Sequence, residues 1–215
     1  AEAVRERDGA LLLVRDRFAA YDRPLAARVL RAALRRLGAV PGRTGTRLAL
    51  EFISRAPSGR ELRLRGGVCV TTEFGTARVE RAARAEAETP PDRPLSIPAA
   101  EAGQGTLCVG GRALRACWGP ATHASGQAVR IAVERAGFPL TLRGWAPGDR
   151  VRTRAGRRPL KKLFGEARVP LRERRRLPVL ADAAGAVLWV PGVASAPECA
   201  PGPGERAITL SISDA

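Results

Sequence analysis

Residues 141–180 read TLRGWAPGDRVRTRAGRRPLKKLFGEARVPLRERRRLPVL and contain thirteen basic and three acidic residues. We call this segment the basic tract. Its proline and glycine residues divide it into a turn and shorter elements. Pro147-Gly148 predicts a type II turn that ends at Asp149, because glycine is favoured at the third position of that turn. Pro159 and Pro170 each predict the start of a short helix, and Pro178 predicts the end of the second one. The basic tract therefore predicts two short, positively charged helices.

Short apolar runs flank the basic tract and are separated by glycine and proline. Runs of this length and spacing are typical of strands in a β-sandwich or barrel. The runs cover residues 95–97, 106–109, 113–117, 129–133, 140–142, 186–190 and 208–212. They predict a β-rich domain that carries the two short basic helices.

The amino-terminal part of the chain predicts helices before strands. Asp22 is suited to cap a helix that has Pro24 in its first turn and ends at Gly38. Four-residue spacing predicts its apolar face, made of Leu25, Val29, Ala33 and Leu37. The same helix carries Arg28, Arg31 and Arg35 at spacings that share one face. That face is either a phosphate-facing stripe or a solvated surface of an arginine-rich protein.

A second helix and a hairpin follow. The pattern predicts a helix over residues 46–55, capped by Thr44 or Thr46. After residue 59 the hydrophobic period changes to two, and Gly66-Gly67 predicts a tight turn between two strands. The second of these strands carries Val68, Val70, Thr72 and Phe74 on alternate positions, and residues 77–80 predict a third strand.

An acidic, proline-rich stretch separates the two patterns and is typical of an extended linker. We therefore predict an α+β protein with a small mixed helix and antiparallel-hairpin domain over residues 1–81. Residues 82–94 form the predicted linker, and residues 95–215 form a β-sandwich-like domain with short basic helices.

Charge and cysteine content restrict the class of partner. The net charge of +16 favours polyanions or an anionic membrane surface, and nucleic acid is the leading class. The longest apolar run, residues 10–14, is too short to cross a bilayer. Four cysteines without a C-x-x-C pair, and a single histidine, predict no metal site. We expect buried thiols in a cytoplasmic protein.

A few individual residues could bind an anion or take part in catalysis. Lys161 and Lys162 are the two lysines in a chain that otherwise uses arginine. They are either a phosphate site at the start of a helix or solvated residues. Asp149 is more simply explained as pinned by Arg150 and backbone amides than as a general base. His123 is interpreted as a loop residue, and the sequence predicts no catalytic residue.

Ordered motifs resemble a known family. The carboxy-terminal domain of bacterial tRNA(Ile)-lysidine synthetases is similar in order and spacing to Leu142-Arg143, Pro147-Gly148-Asp149-Arg150, Lys161-Lys162-Leu163-Phe164, Val169-Pro170, Arg174, Pro178-Val179-Leu180 and Trp189-Val190-Pro191-Gly192. Residues 24–38 and 58–79 are similar, more weakly, to the central substrate-recognition domain of the same enzymes.

The resemblance implies a part of a tRNA-modifying ligase. That family uses ATP and magnesium to ligate lysine onto the wobble cytidine of the CAU anticodon of tRNA(Ile). Its catalytic site lies in an amino-terminal PP-loop domain with a Ser-Gly-Gly-x-Asp-Ser loop, and this sequence has no such motif. We therefore expect this chain to bind and position tRNA, to need no cofactor of its own, and to be inactive in ligation without the PP-loop domain.

The resemblance and the charge together predict the tRNA-binding residues. They are Arg28, Arg31, Arg35, Arg143, Arg150, Lys161, Lys162, Arg168, Arg172, Arg174, Arg175 and Arg176. The expected partners are tRNA(Ile) with a CAU anticodon and the PP-loop domain, and a homodimer is left open. Two alternatives also stay open: an autonomous RNA-binding or ribosome-associated module, and a protein–protein interaction domain.

Overall fold

A computed structural model describes residues 3–7, 9–82, 90–98, 101–120 and 126–215. The chain divides into two units, Ala1–Glu88 and Thr89–Ala215. Most of the predicted linker and His123 fall outside the described residues. The described end of that linker is attached to the second unit: Arg93 exchanges two backbone hydrogen bonds with Cys108, at 2.8 and 3.0 Å. The predicted domain boundaries stay a prediction.

Helices cover one face of an antiparallel sheet in the first unit. The core combines sheet residues such as Leu13 and Val70 with helix residues such as Leu30, Leu34 and Ile53. Along the sheet the strands follow the order β1-β2-β5-β4-β3. The elements are β1 (Val4–Arg7), β2 (Ala10–Val14), α1 (Arg15–Ala19), α2 (Arg23–Arg36), α3 (Arg43–Arg55), β3 (Arg60–Leu64), β4 (Val68–Glu73) and β5 (Thr76–Arg81).

Helix α2 confirms the predicted cap, but the predicted apolar face is only partly right: Ala33 is buried and Val29 and Leu37 pack half-buried against the core, whereas Leu25 does not. Asp22 accepts a hydrogen bond from the Leu25 backbone N–H at 2.7 Å. Leu25 itself is 42% exposed. Four-residue steps drift by about 40° each around a helix of 3.6 residues per turn, so such a row leaves the buried side. The buried residues are Ala26, Leu30, Ala33 and Leu34, which mix spacings of three and four.

Two further predictions for the first unit need correction. Helix α3 begins at Arg43 with Gly42 as its N-cap, so neither Thr44 nor Thr46 caps it. Thr46 is buried in the first turn, where its hydroxyl donates to the Gly42 carbonyl at 3.1 Å. Phe74 lies beyond β4 in the turn, with a φ of +39°. The hairpin itself and the third strand, now β5, are confirmed.

The described residues of the second unit form two sheets. One has four antiparallel strands in the order β7-β8-β16-β9. The other follows the order β12-β11-β14-β13-β10-β6, with β15 paired to β14. The strands are β6 (Leu95–Ile97), β7 (Gly103–Val109), β8 (Arg112–Gly119), β9 (Gln127–Ala132), β10 (Leu140–Gly144), β11 (Arg150–Thr153), β12 (Gly156–Pro159), β13 (Pro178–Ala181), β14 (Val187–Val190), β15 (Ala194–Ser195) and β16 (Ala207–Asp214).

One hydrophobic cluster joins the two sheets face to face. Leu114 and Leu210 from the four-stranded sheet share it with Leu142, Val179 and Val187 from the other sheet. Two short helices, α4 (Leu160–Glu166) and α5 (Leu171–Arg174), connect β12 to β13. This arrangement is a β-sandwich with short basic helices, and the predicted α+β class is confirmed. Among the described residues, every helix is too short or too polar to span a bilayer.

Candidate nucleic-acid interface

The basic tract folds into consecutive elements of the second unit that begin and end in the larger sheet. It runs from the end of β10 through a turn into the β11–β12 hairpin, then through α4 and α5 into β13. The predicted residues from Arg143 to Arg176 all lie on these successive elements. Arg28, Arg31 and Arg35 lie on α2 in the first unit, where Arg28 and Arg35 are exposed and Arg31 is half-buried.

An ion pair fixes the turn between β10 and β11. Arg143 donates from two guanidinium nitrogens to the two Asp149 carboxylate oxygens, at 2.9 and 2.8 Å. The Ala146 backbone N–H donates to the same carboxylate at 2.7 Å. Gly148 has a φ of +98°, as the predicted type II turn requires. The partner of Asp149 is therefore Arg143, and the prediction that Arg150 pins this aspartate is wrong.

The environment of Asp149 explains its protonation state. Burial alone would raise the pKa of this carboxyl, but the hydrogen bonds from Arg143 and from the Ala146 N–H outweigh burial. The pKa of Asp149 is consequently held below its usual value. The Asp149 side chain is 10% exposed and the Arg143 side chain 28%. A carboxylate whose pKa is lowered and whose two oxygens both accept hydrogen bonds is a positioning group for the turn and not a base.

Helix α4 separates an apolar side from a charged side. Leu160, Leu163 and Phe164 are buried, whereas Lys161 and Lys162 are exposed. The first N–H of the helix, from Leu160, donates to the Asp149 carbonyl at 2.9 Å. A seven-residue helix spans only about two turns, so its dipole contributes little beyond the exposed N–H groups. Any anion affinity of the two lysines therefore rests on their charge and exposure.

Phe164 joins α4 to α5. Its fully buried ring meets the Trp145 ring edge to face, with ring centres 5.6 Å apart. The Arg174 guanidinium lies over the same phenylalanine ring, 5.7 Å from its centre. Arg174 also donates through Nε to the Val169 carbonyl at 2.8 Å. Of the predicted tRNA-binding residues in α5, Arg174 thus has a clear structural role.

The four-stranded sheet contacts the end of α5 through the turn between β7 and β8. The tight turn between β7 and β8 brings Gly110 so close to the end of α5 that an added Cβ would lie 2.3 Å from the Arg175 carbonyl oxygen. The Gly110 N–H is itself held by the Asp92 carboxylate at 2.7 Å. Only glycine fits here, and this close approach sets where Arg175 and Arg176 are presented.

Arg168 occupies a backbone conformation that glycine usually takes. It follows the last turn of α4 with a φ of +51°. Its N–H donates to the Gly165 carbonyl at 3.1 Å, and the Val169 N–H donates to the Phe164 carbonyl at 2.9 Å. This hydrogen-bond pattern is the Schellman motif, in which the left-handed position is most often glycine. The chain therefore places an exposed cation where it strains the backbone.

We expect Arg168→Gly to stabilise the second unit by about 0.5–1 kcal/mol, because it relieves the left-handed strain. Thermal or urea unfolding followed by tryptophan fluorescence measures this unit alone, since Trp118, Trp145 and Trp189 all lie in it. Arg168→Ala is the matched control: it removes the same charge but keeps a Cβ and should bring no gain. Equal effects of the two variants would contradict the strain argument.

Sequence reasoning missed the β11–β12 hairpin and three of its arginines, Arg152, Arg154 and Arg157. All three are exposed. The signal was present in residues 150–154, Arg-Val-Arg-Thr-Arg, which alternate with a period of two. It was obscured because the residues on one side of the alternation are arginines rather than apolar residues. Arg158 points to the other face and pairs with Glu166, whose pKa is lowered by that hydrogen bond.

The four cysteines differ in burial. All four thiols are free, with Cys69 and Cys199 buried and Cys108 and Cys117 half-buried, so the expectation of buried thiols holds for two of them. Burial raises the pKa of the Cys69 thiol to about 11 and also raises the pKa of Cys199. Within the described parts of the chain, no three histidine, cysteine or acidic side chains come together as a metal site.

The region that contains the basic tract is similar in sequence to known proteins. A family model described as the TilS substrate C-terminal domain matches residues 140–212. The tRNA(Ile)-lysidine synthase of Bacillus subtilis is 38% identical over 71 residues, which cover 32% of this chain and 15% of that protein. The enzyme of Exiguobacterium sibiricum is 46% identical over 55 residues, or 26% of this chain and 13% of that protein.

A solved structure is also similar to part of this chain. The crystal structure of a TilS C-terminal domain matches with 27% identity and a TM-score of 0.45, over 58% of this chain and 98% of that one. The two curated relatives are much longer than the segments that they share with this chain, and the similarity of residues 1–81 to the central domain stays a prediction. Over its C-terminal region, this chain resembles the tRNA(Ile)-lysidine synthases, and residues 140–212 match their substrate C-terminal domain.

Proposed function

We propose that this chain is the tRNA-recognition portion of a tRNA(Ile)-lysidine synthase. In this proposal it binds tRNA(Ile) with a CAU anticodon. A PP-loop domain then uses ATP to ligate lysine onto the wobble cytidine. The observation that carries the proposal is the exposed cation surface of the basic tract, which coincides with the region matched by the family's substrate domain.

Contacts to phosphates explain this surface better than contacts to bases. Lys161, Lys162 and Arg175 present exposed cations. Stacking on single-stranded bases needs accessible aromatic rings. Trp118 and Trp189 are buried, and Trp145 packs against Phe164. The exposed cations of the basic tract, whose Trp145 is half-buried and whose Phe164 is buried, are suited to the sugar–phosphate backbone of structured RNA.

The Gly-Gly pair of this chain does not fit the PP-loop that holds ATP and magnesium in the family. The Gly66-Gly67 pair forms the turn between β3 and β4, with φ values of +91° and +70°. It lacks the neighbouring serine and aspartate that a PP-loop needs to hold phosphates and a metal ion. We therefore assign no step of the ligation to the chain's own residues. Their part in the proposed function is to bind and orient tRNA.

The proposal predicts binding that weakens steeply with salt. Each neutralised phosphate contributes roughly 0.7–0.9 to the slope of log affinity against log salt concentration. Exchanging both Lys161 and Lys162 for alanine should make this slope shallower by about 1.4–1.8 if each lysine contacts one phosphate. The fold should be unaffected, because both side chains are exposed. Fluorescence anisotropy of labelled tRNA across a salt series measures affinity and slope together.

A matched control removes the same charge elsewhere. Arg115→Ala with Arg130→Ala takes two exposed cations from the four-stranded sheet and should leave the slope close to that of the parent chain. Equal losses for the two double variants would mean that net charge alone drives binding. A parent chain whose affinity for tRNA does not respond to salt would contradict the proposed function.

A further inference from the structure

The outer face of the β11–β12 hairpin concentrates positive charge. In the antiparallel register Arg152 lies directly opposite Arg157, and Val151 lies opposite Arg158. Val151 is fully buried and faces the core. Successive strand residues point to opposite faces, so Arg150, Arg152 and Arg157 all face outward. Arg154 occupies the turn at the tip of the hairpin.

Two like charges directly opposite each other on neighbouring strands destabilise a sheet. Arg152 has one acidic neighbour, Glu198, at 3.4 Å, with both side chains well exposed. Among the described residues the Arg157 guanidinium has no acidic partner, and the Arg150 guanidinium reaches only the Arg157 carbonyl, at 3.5 Å. The Glu166 carboxylate, on α4 directly after β12, is paired with Arg158 on the opposite face.

The position of the hairpin leaves this face open to a large ligand. β12 is the edge strand of its sheet. Outward-facing residues repeat about every 6.6–6.8 Å along a strand, which is close to the separation of successive phosphates along one nucleic-acid strand. The outer face has no large apolar side chain of the kind that anchors protein–protein interfaces. An extended polyanion is therefore favoured over a protein surface.

We propose that the outer face of the β11–β12 hairpin, made of Arg150, Arg152, Arg154 and Arg157, binds the phosphodiester backbone of RNA. This site rests on the proposed tRNA-binding function and extends the interface beyond the two short helices to the edge of the sheet. Bound phosphates offset the repulsion between Arg152 and Arg157.

Arg157→Glu separates binding from folding. It places a carboxylate opposite Arg152, which replaces a repulsive cross-strand pair with an attractive one. We expect a thermal midpoint equal to or above that of the parent chain, by tryptophan fluorescence. We also expect tRNA affinity to fall by about tenfold at moderate salt, with a salt slope shallower by at least about one unit. Arg206→Glu is the control: it makes the same charge change at an exposed arginine ahead of β16.

Each possible result of this experiment either supports or overturns the hairpin site. If Arg157→Glu binds tRNA as the Arg206→Glu control does, the hairpin site is wrong and the proposed function stands. If the parent chain binds no tRNA, the proposed function fails, and the hairpin site fails with it. If Arg157→Glu lowers the midpoint, Arg154→Glu in the hairpin turn repeats the test outside the strand register, and unchanged affinity there overturns the site. A loss of affinity that does not depend on salt also overturns it, because it indicates a contact other than phosphate.

Discussion

Phe164→Ala is expected to lower the free energy of unfolding of the second unit by about 3–5 kcal/mol, the range for truncating a fully buried phenylalanine. The change opens a cavity beside Trp145 and removes the ring over which the Arg174 guanidinium lies. Helix α5 then loses the contact between the Arg174 guanidinium and the Phe164 ring. Chemical unfolding followed by circular dichroism measures the loss without depending on the altered surroundings of Trp145.

Phe164→Leu serves as the control for this prediction. Leucine keeps most of the buried volume but cannot make the two ring contacts, so the loss should be well under half that of the alanine variant. We expect tRNA affinity to fall with the alanine variant under conditions where it remains folded, because α5 is no longer fixed. A loss below about 1 kcal/mol for Phe164→Ala would show that Phe164 does not hold the two helices together.

Asp149→Ala is expected to cost about 2–3 kcal/mol. The change leaves the Arg143 guanidinium and the Ala146 N–H without their acceptor. Removing one partner of a buried ion pair costs more than the pair is worth, and partial exposure of Arg143 reduces the cost here. A double-mutant cycle with Arg143→Ala isolates the coupling between the two side chains. Additive single effects would contradict a direct contribution from the pair.

The same pair predicts a pH dependence. The folded-state pKa of Asp149 is held below its usual value, so the pair's contribution is fully present above the unfolded-state pKa of about 3.9. The contribution is lost as the pH falls through the lower, folded-state pKa. The difference in stability between the parent chain and Asp149→Asn should therefore shrink below about pH 4. A difference that stays constant down to pH 2 would mean that the charge on Asp149 does not contribute.

Local signals predicted those parts of the fold that depend on neighbours in sequence. The cap at Asp22, the turn at Gly148, and the starts of α4 and α5 behind Pro159 and Pro170 depend on intrinsic backbone preferences and were correctly predicted. Seven strands of the second unit were also predicted, β6 to β10, β14 and β16, because short length and flanking glycine or proline favour a strand over a buried helix, whereas β11, β12, β13 and β15 were not predicted.

Features that depend on packing were not predictable in the same way. β2 is a continuous apolar run, Ala10–Val14, whose neighbours β1 and β5 protect it on both edges, and such a run carries no period to identify it. Asp149 was assigned to its neighbour Arg150, but strand alternation turns Arg150 outward and the tight turn brings Arg143 back to the carboxylate. The same contrast between local and packing-dependent features holds for the candidate site. The sequence predicted where its positive charge lies, whereas the register of β11 and β12 showed which arginines share a face.

The position of β16 determines when the second unit can form during synthesis. β16 pairs with both β8 and β9 and separates them, although it follows every other described strand of the unit in the chain. While the ribosome is still making residues 207–214, β8 and β9 have unpaired edges facing each other. The first unit, in contrast, has its whole sheet once β5 has been made. The two units should thus fold in succession, and the nascent second unit should be the stage most exposed to strand-edge aggregation.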